Sequence, residues 1–295
     1  MGPNFISQVR KAIGQLNPAE IREASSRPVR ILVVAGSGQS YARLEDFLAP
    51  ASLSSTKRAE VLHCLMRAGD PPGQEPLSLL FLERGMALPQ GWKPGYDAFL
   101  FDAANPQPLV LEVLSRRDEF GLPLARRFEP FRTAATKKTI HTISKENALF
   151  SLMTALPNVI PNVFELPWAI GEFASDTAVL TANQIRMTFF LAAASDRDVG
   201  FREQRSQIAS VVAGAWGWRA IARELIGKVP LGGGLIPKAA VAYAGTYVVG
   251  LSLERVFRIG YGLSREERNG AYAAAFEKGK EVAGTLLEKL NRNKK

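Results

Sequence analysis

Short apolar runs broken by turns fill the first half of the chain, and long helical stripes fill the second. Residues 30–34 (RILVV) form a β-rich run, Gly36-Ser37-Gly38-Gln39-Ser40 a turn, and residues 41–48 a helical segment, so the pattern predicts strand, tight loop, helix. Residues 59–66 fit a helix or a strand. The Asp70-Pro71-Pro72-Gly73 turn follows them, and residues 77–82 (LSLLFL) read as a buried strand, which predicts a hairpin. Residues 96–101 (YDAFLF), 109–114 (LVLEVL) and 139–143 (TIHTI) predict three more strands. Runs that are apolar throughout and alternate with helical segments imply a mostly parallel sheet covered on both faces.

Before this region, Phe5, Ile6, Val9, Ala12, Ile13 and Leu16 recur at helical spacing opposite Arg10 and Lys11, predicting a short amphipathic helix and then a polar linker to Arg27. Such a helix either packs on the domain behind it or lies on a membrane interface. After Ser144 the pattern turns helical for good, with Pro157, Pro161 and Pro167 at the entry, where proline is tolerated. In 207–226 one face carries Ile208, Val211, Val212, Ala215, Ala222 and Leu225, while Trp216, Trp218 and Ile221 cover much of the rest. Leu231-Gly232-Gly233-Gly234 breaks the chain, Pro237 suits the next helix's first turn, and Ala242, Thr246 and Gly250 fall on one stripe of small residues. Ser264 with Glu267 forms a capping box that opens the last helix, striped by Tyr272, Phe276, Val282, Leu286 and Leu290. The expected architecture is therefore α/β plus all-α: an N-terminal helix and linker (1–27), an α/β domain (28–156) and an apolar helical bundle domain (157–295).

Composition sharpens this picture. The 295 residues are 46% hydrophobic and 22% charged, which is globular and apolar enough to leave membrane contact open. The uncharged run 239–253 is shorter than the roughly 20 residues a bilayer core requires, and the run 147–164 is interrupted by prolines, so peripheral association is expected over insertion. A formal net charge of +9 favours an anionic partner. The densest basic cluster is Arg116, Arg117, Arg126, Arg127, Arg132, Lys137 and Lys138. It is read as a surface for anionic membrane, because no helix-turn-helix or aromatic RNA-binding signature argues for nucleic acid. One cysteine, Cys64, excludes an internal disulfide framework and points to a reducing, cytoplasmic compartment. No export signal is expected, and Ile6 stands where a myristoylation signal wants Ser or Thr.

Candidate chemistry centres on AGSGQSYAR. A phosphate-binding loop needs G-x-x-x-x-G-K-[ST], in which lysine neutralises the phosphates and the hydroxyl holds magnesium. Here Tyr41 stands five residues after Gly36 and no lysine follows. Phosphate catalysis is therefore not expected, and Gly36, Gly38 and Ser40 retain at most anion binding at a helix start. Asp176, Asn183 and Gln184 share one helix face and read as buried polar groups satisfying one another with Arg186 or Arg219, or as a ligand or ion path. His63, Cys64 and His141 are too few and too dispersed for zinc, so no metal site is expected.

In order and spacing, the segments at 30–48, LSLLFLERG, YDAFLFDAANP, LVLEVLSRRD and TIHTISKEN resemble an Era-like GTPase domain. The resemblance places Gly85 at the glycine that contacts the terminal phosphate, with Leu82 in place of the magnesium-linked Asp. It retains Asp118 of the guanine-reading N-K-x-D at Ser115-Arg116-Arg117-Asp118, and matches Ser144-Lys145 to the end of the last base-contacting loop. Together these imply a degenerate P-loop GTPase fold, a pseudoenzyme. The Asp176, Gln184, Arg186-Met187 pattern and GGGLIPKAAVAYAGTYVVG resemble the YcjF-type domain of unknown function, a bacterial, membrane-associated helical family. The combined expectation is a non-catalytic adaptor, without cofactor, at the inner face of a bacterial membrane or on a membrane protein, alone or as a homo-oligomer. Two alternatives stand beside it: a divergent GTP hydrolase, which would need GTP and magnesium, and a soluble interaction module.

Overall fold

A computed structural model describes residues 3–71, 76–155, 176–214 and 234–292. The chain is mixed α/β, mostly helical, with one four-stranded sheet. It divides into two compact units. One comprises Arg22–Lys137 and Ala193–Arg197; the other comprises Met1–Ile21, Lys138–Ala192 and Asp198–Lys295.

The first unit holds the sheet. Strands β1 (Ile31–Val34), β2 (Leu65–Arg67), β3 (Leu79–Glu83) and β4 (Ala98–Phe101) stand in the order β2-β1-β3-β4, and every neighbouring pair is parallel. The expected hairpin is absent: 59–66 splits between helix α4 (Ser55–His63) and β2, and both β2 and β3 pair with β1 rather than with each other. A parallel sheet cannot be closed by a tight turn, so the chain must cross over between neighbours. Helices α3 (Gly38–Leu48) and α4 supply the first crossover.

Two expected strands are helices. Residues 109–114 lie in α5 (Gln107–Arg116), where Leu109, Val110, Val113 and Leu114 are buried and Leu111 is 60% exposed. That is helical spacing; a strand would have put Leu109, Leu111 and Val113 on one side. Residues 139–143 lie inside the long helix α7 (Glu129–Met153), which buries Ile140 and Ile143 one turn apart. Between them run a 3-10 turn (Asp118–Phe120) and α6 (Gly121–Arg127). One sheet face, with Ile31, Val33, Leu79, Phe81, Phe99 and Phe101, packs against Leu44, Leu48, Val61, Val110, Leu124 and Phe131. The opposite face gathers Val34, Leu80, Leu82 and Ala98 with Leu32 and Trp92.

The second unit is a helical bundle. It contains α1 (Pro3–Gly14), the α7 residues from Lys138 on, α8 (Asp176–Ala194) up to Ala192, the helical residues 205–214 (α9), α10 (Leu235–Ile259) and α11 (Arg265–Arg292). Val9 and Ala12 of α1 are buried while Arg10 and Lys11 are exposed, so the apolar face of this helix is packed. Helix α8 is buried on nearly all sides, as its almost continuous apolar sequence requires. The stripe Ala242, Thr246 and Gly250 is buried, and a Cβ on Gly250 would fall 2.8 Å from the Ile140 side chain. On α11, a Cβ on Gly279 would fall 2.9 Å from the Ala240 carbonyl oxygen. Small residues thus set how closely α10 meets α7 and α11. The predicted capping box is formed: Ser264 N donates to Glu267 Oε2 at 2.8 Å and Glu267 N to Ser264 Oγ at 3.1 Å. Gly260 ends α10 at φ 90°, the left-handed conformation that glycine adopts without strain. The Pro157, Pro161 and Pro167 entry, residues 215–226 of the helix predicted at 207–226, and Leu231, Gly232 and Gly233 lie outside the described residues. No helix among the described residues is long and apolar enough to cross a membrane.

Candidate functional site

In an open parallel sheet, ligands bind beyond the carboxyl ends of the strands, where the order reverses. Here the reversal falls between β1 and β3: β1 is followed in sequence by its neighbour β2 on one side, and the chain then returns to β3 on the other. Val34 pairs with Leu82, so the next residues, Ala35-Gly36 and Glu83, emerge side by side at that point. The loop after β1 is therefore where this topology would admit a ligand.

That place is occupied by the chain's own carboxylate. Gly36 N donates to Glu83 Oε2 at 2.6 Å, and a Cβ on Gly36 would meet Met86 Sδ at 3.1 Å. Ser37 caps α3, accepting from Ser40 N at 3.1 Å, and its hydroxyl donates to Ser40 Oγ, also at 3.1 Å. Gly38 opens α3. The amides and hydroxyls that would cradle phosphate are thus partly engaged within the loop, and a negative charge sits among them. Gly85 lies just after β3 at φ 90°, in a turn where Met86 N donates to Glu83 O at 3.1 Å. The turn itself requires a glycine there, whatever the ligand.

The other residues matched to the GTPase pattern do not sit on strand-end loops. Asp118 lies in the 3-10 turn after α5. Ser144 and Lys145 lie in mid-helix; Ser144 is fully buried and its hydroxyl donates to Ile140 O at 2.7 Å. The loop expectation at 144–145 fails because the strand expected before it is helix.

Most of the basic cluster is tied into the fold rather than spread on a free surface. Arg117 donates to Tyr96 O at 2.5 Å and to Glu119 Oε1 at 2.6 Å, with its guanidinium 4.5 Å from the Tyr96 ring centroid. Arg126 reaches Asp196 Oδ1 at 2.9 Å and Ser25 Oγ at 3.2 Å. Arg127 donates to Pro123 O at 3.1 Å, and Arg132 to the carbonyls of Ala125, Arg126 and Ala194. Arg116 is exposed and bridges Glu112 at 3.5 Å; Lys137 and Lys138 are exposed on α7. Guanidinium forks close helix C-termini here, a role that composition cannot distinguish from solvated charge.

The polar stripe of the helical unit is a network. Asn147 Nδ2 donates to Thr246 Oγ1 at 2.7 Å, Asn183 Nδ2 to Asn147 Oδ1 at 2.8 Å and to Glu146 Oε2 at 3.2 Å, and Gln184 Nε2 to Thr246 Oγ1 at 3.2 Å. Arg186 pairs with Glu146, while Asp176 opens α8. Asn183, Gln184 and Arg186 are held through Glu146, Asn147 and Thr246, of which Glu146 and Asn147 carried no signal in the sequence pattern. Asn183 Oδ1 is buried without a hydrogen-bond partner.

His63 is exposed, its Nε2 3.5 Å from the Arg30 guanidinium, whereas the His141 ring packs edge-on against Tyr243. His141 Nδ1 lies 2.8 Å from Tyr243 Oη, with burial and then Lys145 and Lys278 holding the imidazole below its usual range. Burial, with a contribution from Tyr247, pushes the Tyr243 phenol up to about 12. Burial also pushes the Cys64 thiol up, with Arg127 offsetting only part of the rise, which is opposite to an activated nucleophile. Among the described residues no group of His, Cys, Asp and Glu could hold a metal ion. No family model, curated protein or solved structure matches this chain.

Sequence reasoning missed Glu83, Lys57 and Asp196. Glu83 is visible as the acid ending LSLLFLE, but its place beside Gly36 follows only from parallel register with β1. Asp196 carries no signal beyond a polar turn after an apolar helix.

Proposed function

We propose that this chain is a non-catalytic scaffold whose GTPase-like α/β unit has lost nucleotide hydrolysis. One observation carries the reading: the Gly36 amide, at the sheet's switch point, is held by the Glu83 carboxylate. A triphosphate entering there must displace an internal anion and then meet no lysine to offset its charge. The uncompensated repulsion acts on both ground and transition states, so binding and turnover fail together. Calorimetric titration with GTP and magnesium tests this. The expected result is no saturable heat at concentrations up to about 1 mM, equivalent to less than about 4 kcal/mol of binding, for the wild type and for Ser40→Ala alike. Micromolar, magnesium-dependent binding that Ser40→Ala abolishes would overturn the reading.

The scaffold is proposed to act at the inner face of a membrane or on a membrane protein, as a peripheral component. The net charge of +9 and the exposed Lys137 and Lys138 support attraction to anionic lipid, each surface lysine adding about 1 kcal/mol near such a membrane. In liposome flotation the protein is expected to rise with vesicles containing anionic lipid and to remain below with neutral ones. Equal behaviour toward both removes the electrostatic basis of this limb.

A further inference from the structure

The α/β unit has a second concavity, of about 330 Å³, lined by none of the loop residues at Gly36. Its wall carries four cations, Lys57, Arg127, Arg132 and Arg197, against two carboxylates, Glu129 and Asp196. Asp196 is already committed, to Lys57 at 2.6 Å and to Arg126 at 2.9 Å. It stands at φ 56°, the one non-glycine residue with positive φ among the described residues, and strain of this kind collects where a side chain must be aimed. Arg127 and Arg132, by contrast, are oriented by neutral acceptors. Arg127 donates to the Pro123 carbonyl and Arg132 to three carbonyls at 2.9–3.3 Å, and neither forms an ion pair among the described residues. Carbonyl contacts fix a guanidinium plane and leave its formal charge uncancelled. Two such groups beside Lys57 and Arg197 in a half-enclosed cavity form a preorganised set of donors for tetrahedral oxyanions. The volume exceeds that of one phosphate and leaves room for the group that carries it.

We propose that this cleft is an anion site for a phosphate monoester, whether on a lipid headgroup or on a free phosphorylated metabolite. The inference goes beyond the scaffold reading and is independent of the closed loop at Gly36. Its test is titration of the full chain with inorganic phosphate at constant ionic strength, followed by flotation with vesicles of phosphatidic acid or of phosphatidylserine at matched charge. Saturable phosphate binding is expected, weakened about tenfold or more in Arg127→Gln, as loss of a hydrogen bond to a charged group implies, and unchanged in Lys93→Gln, an exposed lysine outside the cleft. Because Arg127 also holds a helix end, Lys57→Gln is measured in parallel, and each variant's melting curve establishes that it is folded. A preference for phosphatidic acid that Arg127→Gln removes identifies a headgroup as the source. Phosphate binding without that preference identifies a soluble ligand. No saturable phosphate binding by the folded wild type, or binding that survives in folded Arg127→Gln and Lys57→Gln, overturns the proposal. Vesicle binding that is indifferent to both variants supports the membrane limb of the scaffold reading and excludes a headgroup as this site's ligand.

Discussion

Asp196 ties the end of α8 to α4 and α6, through Lys57 and Arg126. Burial raises its carboxyl, but the two cations outweigh that and hold it below its ordinary value of 3.8. With the folded value depressed, this contribution is complete above the unfolded pKa and is lost as pH falls through the folded one. Asp196→Asn is therefore expected to lower stability by about 1–2 kcal/mol at neutral pH, a charged hydrogen bond discounted for partial exposure, and to flatten the acid limb below pH 3.8. His141 has the opposite chemistry and the same direction of loss. Its folded pKa lies below 6.5, so its contribution is complete above 6.5 and declines as pH falls beneath that value. Denaturant midpoints measured between pH 7 and 5 should fall for the wild type and less so for His141→Gln. A midpoint that rises toward pH 5 contradicts this assignment.

At the scale of elements, glycines separate close approach from permissive space. A Cβ at Gly279 would lie 2.9 Å from a backbone oxygen, which cannot rotate away, whereas one at Gly284 on the same helix meets nothing within 4 Å. Gly279→Ala is expected to destabilise by about 1–3 kcal/mol through overpacking, and Gly284→Ala to stabilise by about 0.5–1 kcal/mol through helix propensity. Thermal melts of the two variants check the contrast. The same scale shows what was legible in the sequence. RILVV, LSLLFL and YDAFLF form strands close to where their apolar runs lie, and the Ser264–Glu267 box opens a helix as read. LVLEVL and TIHTI misled because a short apolar run has no period of its own. In the first, Pro106 and Pro108 mark a helix start, and the burial of Leu109, Val110, Val113 and Leu114 follows it. The second is a fragment of a 25-residue helix whose apolar positions only align over several turns. The candidate site was half legible. The turn through Gly36, Gly38 and Ser40 into a helix was readable from the loop itself, but the acid beside it comes from a strand 47 residues away, and only register places it there.

For the molecule as a whole, the two units divide the reading between them. The α/β unit carries a four-stranded parallel sheet whose switch-point loop is held by an internal carboxylate, and the helical unit is organised around a buried network and close helix contacts. The account depends most on Glu83 holding the loop amide, and amide NMR of the perdeuterated full chain tests that directly. Titration with GTP and magnesium should leave the Gly36 amide resonance where it is, while Glu83→Ala, which removes the acceptor, moves it. A Gly36 resonance that shifts and saturates at micromolar GTP, with Glu83 displaced at neutral pH, would contradict the account.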